Sequence, residues 1–223
     1  MKKICIEINN VVKHFPVKKG LFLGKTIGFV KAVDDVSFSI TEGETFALVG
    51  ESGCGKTTLA NLILLTLNPN SGDIVFKGKS VAKMSETEKL FYRRSIQAVF
   101  QDPYGALNPR MQVGQIIGEP LQIQKFPKEE QNRRIKEAIR GVGLPEGCES
   151  QFPHEFSGGQ RQRIGLARSL TVKPQLIVLD EPVSNLDISI RSQVLNLLKD
   201  IVGNIKDVKL YELGQQEIIT YIR

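Results

Sequence analysis

The sequence has 223 residues, of which 41% are hydrophobic and 24% charged, and its net charge at pH 7 is +6. This length and composition support a real core and one compact unit with room for a subdomain. Three isolated cysteines, Cys5, Cys54 and Cys148, fit neither a disulfide framework nor a zinc site, and no apolar run is long enough to span a membrane.

The N-terminus and the distribution of charge predict where the chain works. Residues 1–7 lack the apolar core of a signal peptide, so we expect a cytoplasmic protein unless a partner carries it to a membrane. Lysines and arginines are dispersed, with small clusters at Lys18–Lys19, Arg93–Arg94 and Arg133–Arg134. Because no long basic stripe with interleaved aromatics is present, we expect no nucleic acid partner and a solvated surface near phosphate ligands and anionic lipid headgroups.

The first 45 residues alternate apolar and polar side chains in short segments. Ile4–Ile8 and Val36–Ile40 show the period of two that is typical of half-buried strands. Residues 3 to about 45 therefore predict an antiparallel β subdomain.

Residues 45–67 predict a strand, a glycine-rich loop and a helix. The apolar run Thr45–Val49 is typical of a buried strand, and Thr58–Leu67 of the helix that follows. Between them the glycines let successive backbone N–H groups wrap around a triphosphate at the positive end of the helix. Lys56 reaches the outer phosphates and the Thr57 hydroxyl is placed to bind Mg²⁺. The residues predicted to contact ATP are Gly50, Ser52, Gly53, Cys54, Gly55, Lys56, Thr57 and Thr58.

The segment between this loop and the last motifs is predicted to be mainly helical. The segment between Pro103 and Pro109 is expected to be an exposed, ordered loop, because these flanking prolines rule out a helix or a central strand. Helices are predicted over Val113–Ile123 and Lys128–Gly141. This helical insertion, about residues 102–170, divides a mostly parallel α/β core assigned to residues 45 to about 100 and 171–202.

A third helix is predicted to begin just after Ser157. The run from Arg161 to Leu170 has apolar residues at helical spacing, and Ser157 is a favourable N-cap. Gly158, Gly159 and Gln160 lie beside it, so this helix terminus is a second candidate anion site.

The apolar run Leu176–Leu179 predicts a buried strand of a parallel sheet, with Asp180 and Glu181 at its carboxyl end. Asp180 is suited to hold Mg²⁺ through its water shell. Glu181 is suited to orient or deprotonate an attacking water.

Together these motifs closely resemble those of the ABC-type ATPases, which are P-loop NTPases. The resemblance covers residues 3–202 and implies an α/β fold with a RecA-like core, an antiparallel β subdomain and an inserted helical subdomain. It also implies that Ser157, Gly158, Gly159 and Gln160 of one subunit bind the γ-phosphate held by the loop of another. Function would then require a head-to-tail dimer, with a second copy or with a paralogue.

Three further positions match the family pattern. Gln101 matches the glutamine that touches Mg²⁺ and water and links the nucleotide site to the membrane subunits. Phe15 falls where the family places an aromatic that stacks on adenine, at the end of the first strand. Asp187, in the segment Ser184–Asp187, matches the loop that contacts the opposite subunit, and it can also cap a helix predicted over Ile188–Val202.

The segments Asp102–Met111, Val12–Gly20 and Phe152–Phe156 resemble the oligopeptide and dipeptide importer branch. This implies an ATPase that powers import, located peripherally on the inner face of the plasma membrane. The implied partners are a second ATPase subunit, two membrane permease subunits and, indirectly, an external solute-binding protein.

The pattern breaks after residue 202. The family uses a switch histidine beyond the acidic strand, whereas the only histidines here are His14 and His154, and residues 203–223 do not resemble the family sequence. We expect a chain truncated or frame-shifted after that helix, or a natural variant. One alternative is a subunit that binds ATP without hydrolysing it and pairs with a competent paralogue. Another is an ABC-type ATPase of DNA maintenance, against which the absence of coiled-coil or zinc insertions argues.

Overall fold

The computed structural model describes residues 3–19, 25–99, 105, 107–180, 192, 196–197, 208–212 and 220–222. The chain divides into two compact units. The first extends to Tyr92 and includes residues 209–220, and the second takes residues 93–208 and 221–223.

An antiparallel sheet dominates the first unit. Strand β1 (Ile4–Lys19) pairs along its length with β2 (Lys25–Thr41), and its first half also pairs with β4 (Ser71–Phe76), which pairs with β5 (Lys79–Ser80). The predicted antiparallel subdomain is confirmed. The assignment of residues 71–80 to the parallel core was wrong, because β4 forms its hydrogen-bonded ladder with β1. Strands β1 and β2 are also longer than the predicted segments Ile4–Ile8 and Val36–Ile40, because the hydrogen bonds between the two strands continue into residues that are not buried on either face.

The phosphate-loop region of the first unit starts from a buried strand. Strand β3 (Thr45–Val49) has the predicted bounds, and β8 (Val208–Glu212) lies beside it. Helix α1 (Lys56–Ile63) ends earlier than predicted, because Leu65 adopts a left-handed φ of +55°. The Thr66 hydroxyl then donates to the carbonyl oxygen of Asn61 at 3.0 Å, which fixes the turn.

Helix α2 (Glu86–Ser95) closes the core of this unit, after a 3₁₀ turn at Val81–Lys83. Tyr92 of this helix is buried; its hydroxyl donates to the Ile63 carbonyl oxygen at 2.6 Å, and its ring packs edge-on against Phe76 at 5.1 Å between centroids. Burial raises the pKa of the Tyr92 phenol, so it stays a hydrogen-bond donor.

The second unit combines parallel strands with helices. Strands β6 (Ile96–Val99) and β7 (Leu176–Leu179) are parallel, and Val178 pairs in antiparallel fashion with Ile222 of β9 (Thr220–Ile222). Strands β8 and β9 lie in the tail that does not resemble the family sequence.

Helices α3 (Val113–Ile123) and α4 (Lys128–Gly141) have the predicted bounds, and α5 (Gly158–Leu170) begins after Ser157. Short 3₁₀ turns lie at Cys148–Ser150 and Pro153–Glu155. The helices share one apolar core with the ends of β6 and β7; its fully buried members include Val113, Ile117, Val142, Ile164, Leu166 and Ala167. None of the helices in the described part of the chain is long and apolar enough to cross a membrane.

Candidate functional site

The loop between β3 and α1 is shaped by glycines in the first unit. Gly53 and Gly55 have φ of +82° and +104°, in the left-handed region that favours glycine. At Gly55 space is also closed, because an added Cβ would lie 1.9 Å from the backbone oxygen of Ala32 on β2. The chain therefore turns sharply before α1 and packs directly against the antiparallel sheet.

Lys56 lies folded across its own loop. Its Nζ donates to the carbonyl oxygens of Gly50 at 2.6 Å and Glu51 at 2.7 Å, and lies 3.5 Å from the Cys54 sulfur. The residue is only 8% exposed, and a buried ammonium is tolerated when such acceptors surround it. The first turn of α1 carries no acidic residue, so the positive helix end and the ammonium act in the same direction. This arrangement attracts an anion.

The other predicted loop residues are accessible to different degrees. Ser52, Gly53 and Thr57 are exposed, whereas Cys54 and Thr58 are half-buried. Thr57, in the first turn of α1, is exposed, and its hydroxyl is the kind of oxygen ligand that a hard cation prefers.

Phe15 lies within β1 rather than at its end. Its side chain is 36% exposed, and Lys13 Nζ lies 5.4 Å from the centroid of its ring. The ring thus offers a face for stacking, while its role toward adenine stays a prediction.

The start of α5 is a capping box in the second unit, which confirms Ser157 as the N-cap. The Ser157 hydroxyl accepts from the Gln160 backbone N–H at 3.3 Å, and the Gln160 side-chain oxygen accepts from the Ser157 N–H at 3.0 Å. Arg161 Nε donates to the carbonyl oxygen of Pro153 at 2.8 Å and anchors the first turn to the preceding 3₁₀ turn. Ser157 is exposed, Gly158 is half-buried and Gly159 is buried.

This terminus also favours negative charge. The first turn of α5 has no acidic residue, whereas α2 and α4 carry glutamates in theirs. The first N–H groups of a helix have no partner within the helix, so they can donate to a ligand. Binding of a phosphate here stays a prediction.

Asp180 directly follows β7. Its backbone N–H donates to the carbonyl oxygen of Val99 at 3.1 Å, which continues the parallel ladder by one residue. The carboxylate thus stands at the carboxyl end of the strand, as predicted. Gln101, Glu181 and Asp187 lie outside the described residues. Of the predicted site residues that are described, the loop and Phe15 belong to the first unit, and Ser157–Gln160 and Asp180 belong to the second.

Sequence reasoning missed two buried residues of the second unit. Leu107 is 3% exposed and belongs to the helical core, although its segment was expected to be an exposed loop. Gln162 of α5 is 2% exposed, and its Nε2 has no hydrogen-bond partner among the described residues. The available signal was the helical spacing, because Gln162 lies four residues before the apolar Leu166 and therefore on the same face of the helix.

The three cysteines are free, as expected, and differ in access. Cys5 and Cys148 are buried, and burial raises the pKa of both thiols. Cys54 is half-buried inside the phosphate loop, so it is the accessible thiol of the three.

The sequence matches a family described as ABC transporter over residues 33–184. The oligopeptide transport ATP-binding protein AppF of Bacillus subtilis is 49% identical over 203 residues, which cover 90% of this chain and 61% of that protein. The dipeptide transport ATP-binding protein DppF of Escherichia coli is 47% identical over 202 residues, covering 90% and 60%. The chain therefore spans about three fifths of the length of these curated relatives.

Two solved structures share the fold. The ATP-binding cassette MJ0796, a dimer in a post-hydrolysis state bound to ADP and Pi, gives a TM-score of 0.74 at 28% identity, covering 93% of this chain and 87% of that chain. CbiO1 from Clostridium perfringens, part of the complex cbiONQ, gives 0.73 at 26%, covering 96% and 79%. These likenesses confirm the α/β P-loop fold class predicted from the sequence.

Proposed function

Because the chain belongs to the ABC transporter family, we propose that it is the ATP-binding and ATP-hydrolysing subunit of an oligopeptide or dipeptide import system. The observation that carries the proposal is the phosphate loop, with Lys56 buried in it and Gly55 pressed against β2. The names of the curated relatives support the solute class. The proposed partners are a second ATPase subunit and two membrane permease subunits, which would hold the chain at the inner face of the membrane.

The chemistry would be divided among the residues of both units. Backbone N–H groups of the loop and Lys56 would hold the β- and γ-phosphates of ATP. Ser157, Gly158 and Gly159 of a second subunit would close over the γ-phosphate with their helix N-terminus. Glu181 would orient and deprotonate the attacking water.

Mg²⁺ fits the donors that the motifs supply. Thr57 offers a hydroxyl, Asp180 a carboxylate and Gln101 an amide oxygen, and oxygen atoms are the ligands that this hard cation prefers. When bound, the ion would neutralise charge on the phosphates. Thr57 and Asp180 would position it, and Gln101 would link its ligand sphere to the segment that meets the permeases.

The first test is ATP binding by the whole chain. Lys56→Ala should abolish binding in isothermal titration calorimetry, because it removes the ammonium that neutralises the phosphates. Lys83→Ala is the matched control, since Lys83 is an exposed lysine of a 3₁₀ turn in the same unit. Equal ATP affinity in both variants would refute the assigned loop. Glu181→Gln should keep ATP binding and abolish turnover, and unchanged turnover would refute the assigned base.

A second candidate is a subunit that binds ATP and depends on a partner subunit for hydrolysis. Both histidines in these 223 residues precede the acidic strand, whereas the family's switch histidine follows it, and this favours the second candidate. His14 Nε2 lies 2.8 Å from the Asp34 carboxylate, and the His154 ring stacks on Phe152 at 5.8 Å. A steady-state ATPase assay of the chain alone and mixed with a competent subunit separates the two candidates, because only the second requires the mixture.

A further inference from the structure

The far half of the β1–β2 pair extends beyond the rest of the antiparallel sheet. Pairing of β1 with β4 ends at Val12, opposite Ser71, whereas pairing with β2 continues to Lys19, opposite Lys25. Residues 13–19 and 25–33, named here the hairpin arm, therefore form a ribbon without a third strand among the described residues.

Both faces of the hairpin arm are open. Neighbouring residues of a strand point to opposite faces, and the neighbours Phe29 and Val30 are 64% and 55% exposed. Ile27 is 60% exposed, and Val17 across the ribbon is 38% exposed. These side chains form an exposed apolar group at the far end of the arm, of the kind that marks an interaction site.

The charge around this apolar group has one sign. From residue 8 to residue 33 the sequence contains five lysines and neither aspartate nor glutamate. Lys31 pairs with Asp34 at 3.0 Å, and Lys13 donates to the Asn68 carbonyl oxygen. The remaining three, at the far end of the arm, have no ion pair with any described residue; they are Lys18, Lys19 and Lys25.

Lysines beside exposed apolar side chains match a surface of anionic lipids. The apolar side chains enter the boundary between headgroups and acyl chains, while the ammonium groups stay with the anionic heads. A protein partner would cover one face of the ribbon, whereas a lipid surface contacts the exposed side chains of both faces, Phe29 on one and Val30 on the other. We propose that the hairpin arm binds directly to membranes that contain anionic lipids, without a membrane protein and without nucleotide.

Sedimentation of the whole chain with protein-free vesicles tests this proposal. Phosphatidylcholine vesicles that contain phosphatidylserine should bind the chain, with affinity falling as salt rises, and pure phosphatidylcholine should bind it much more weakly. Each lysine near such a surface contributes about fivefold to partitioning. The triple variant Lys18→Glu, Lys19→Glu, Lys25→Glu should therefore lose about 100-fold or more.

The apolar contribution has its own variant and control. Ile27→Ser should lower partitioning about tenfold, because the isoleucine enters the interface. Ile123→Ser is the matched control, since Ile123 is 62% exposed but lies in the second unit. The charge control is Lys83→Glu, Lys128→Glu, Lys136→Glu, which changes net charge equally at exposed lysines outside the arm.

Several results would overturn the proposal. Equal binding to neutral and anionic vesicles would do so, as would equal losses in the arm variants and their controls. Binding only to vesicles that hold a reconstituted permease would assign the arm to a protein partner. Thermal melting checks that each variant folds, and if the triple variant does not, the lipid and salt dependence of the unchanged chain decides. ATP titration is an independent test, because a chain that binds no ATP would refute the proposed function without affecting the proposed binding to vesicles.

Discussion

Replacing Gly55 by alanine tests the geometry of the phosphate loop. The alanine Cβ would start 1.9 Å from the Ala32 backbone oxygen, so the loop and β2 must separate by about 1 Å before the contact is tolerable. The φ of +104° adds strain of about 1–2 kcal/mol for a residue with a Cβ. Forcing the packed backbone of the loop and β2 apart costs about 1–3 kcal/mol more. We expect Gly55→Ala to lower the free energy of unfolding by about 2–5 kcal/mol.

The same displacement should weaken ATP binding, because the loop N–H groups would no longer converge on one anion. A misplacement of about 1 Å can cost on the order of 100-fold where several groups act together. Urea unfolding measures the stability, and calorimetric titration measures ATP affinity.

Gly43→Ala supplies the control for backbone strain alone. Gly43 has φ of +74° in the turn before β3, and an added Cβ would meet nothing within 4 Å. This variant should lose only about 1 kcal/mol and keep its ATP affinity. Equal destabilisation by the two variants, within about 0.5 kcal/mol, would refute the close approach of the loop to β2.

Three further predictions concern single side chains. Ser157→Ala should lower the free energy of unfolding by about 1 kcal/mol, because it removes the N-cap. Ser157→Asp should keep the cap, but its carboxylate should repel the γ-phosphate and prevent ATP-driven pairing of two copies. A dimer formed by Ser157→Asp with ATP would contradict this. Hydrogen bonds from Lys79 and then from Ser85 lower the pKa of the Glu88 carboxyl from 4.5 to about 2. Because the pKa of Glu88 is lower in the folded chain, the unchanged chain should be more stable than Glu88→Gln, fully so above pH 4.5 and less so as the pH falls toward 2. A difference in the free energy of urea unfolding that does not change with pH would show that the contacts of Glu88 do not form. N-ethylmaleimide should modify Cys54 first and block ATP binding sterically, and modified protein that binds ATP normally would exclude that placement.

Strong local patterns were read correctly from the sequence. Helices α3 and α4 have the predicted bounds because their apolar residues recur at helical spacing, and strand β3 has them because its apolar run is continuous. The end of helix α1 was predicted too late, because the apolar residues after Ile63 give no stop signal in the sequence. The left-handed turn at Leu65 that ends the helix depends on a contact between Thr66 and Asn61.

Long-range contacts were beyond the reach of periodicity. The paired residues of β4 and β1 lie between 59 (Val12 and Ser71) and 70 (Ile6 and Phe76) positions apart, so the place of β4 in the antiparallel sheet depends on a ladder that no local window contains. The burial of Leu107 escaped notice for a related reason, because flanking prolines indicate a loop but do not show which of its side chains enters a core.

The candidate site was predictable to the extent that its motifs are contiguous. The glycine loop and the cap at Ser157 could be inferred from neighbouring residues. The contact between Gly55 and Ala32 joins residues from separate elements, and it became visible only in the structure.

Analytical ultracentrifugation of the Glu181→Gln chain with ATP tests the central claim most directly. Two copies should close head to tail around the nucleotide, so the sedimenting mass should double when ATP is added, and Lys56→Ala or Ser157→Asp in the same background should abolish the change. A chain that binds ATP and keeps the mass of one copy would contradict a shared site, and a chain that binds no ATP would contradict the proposed function itself.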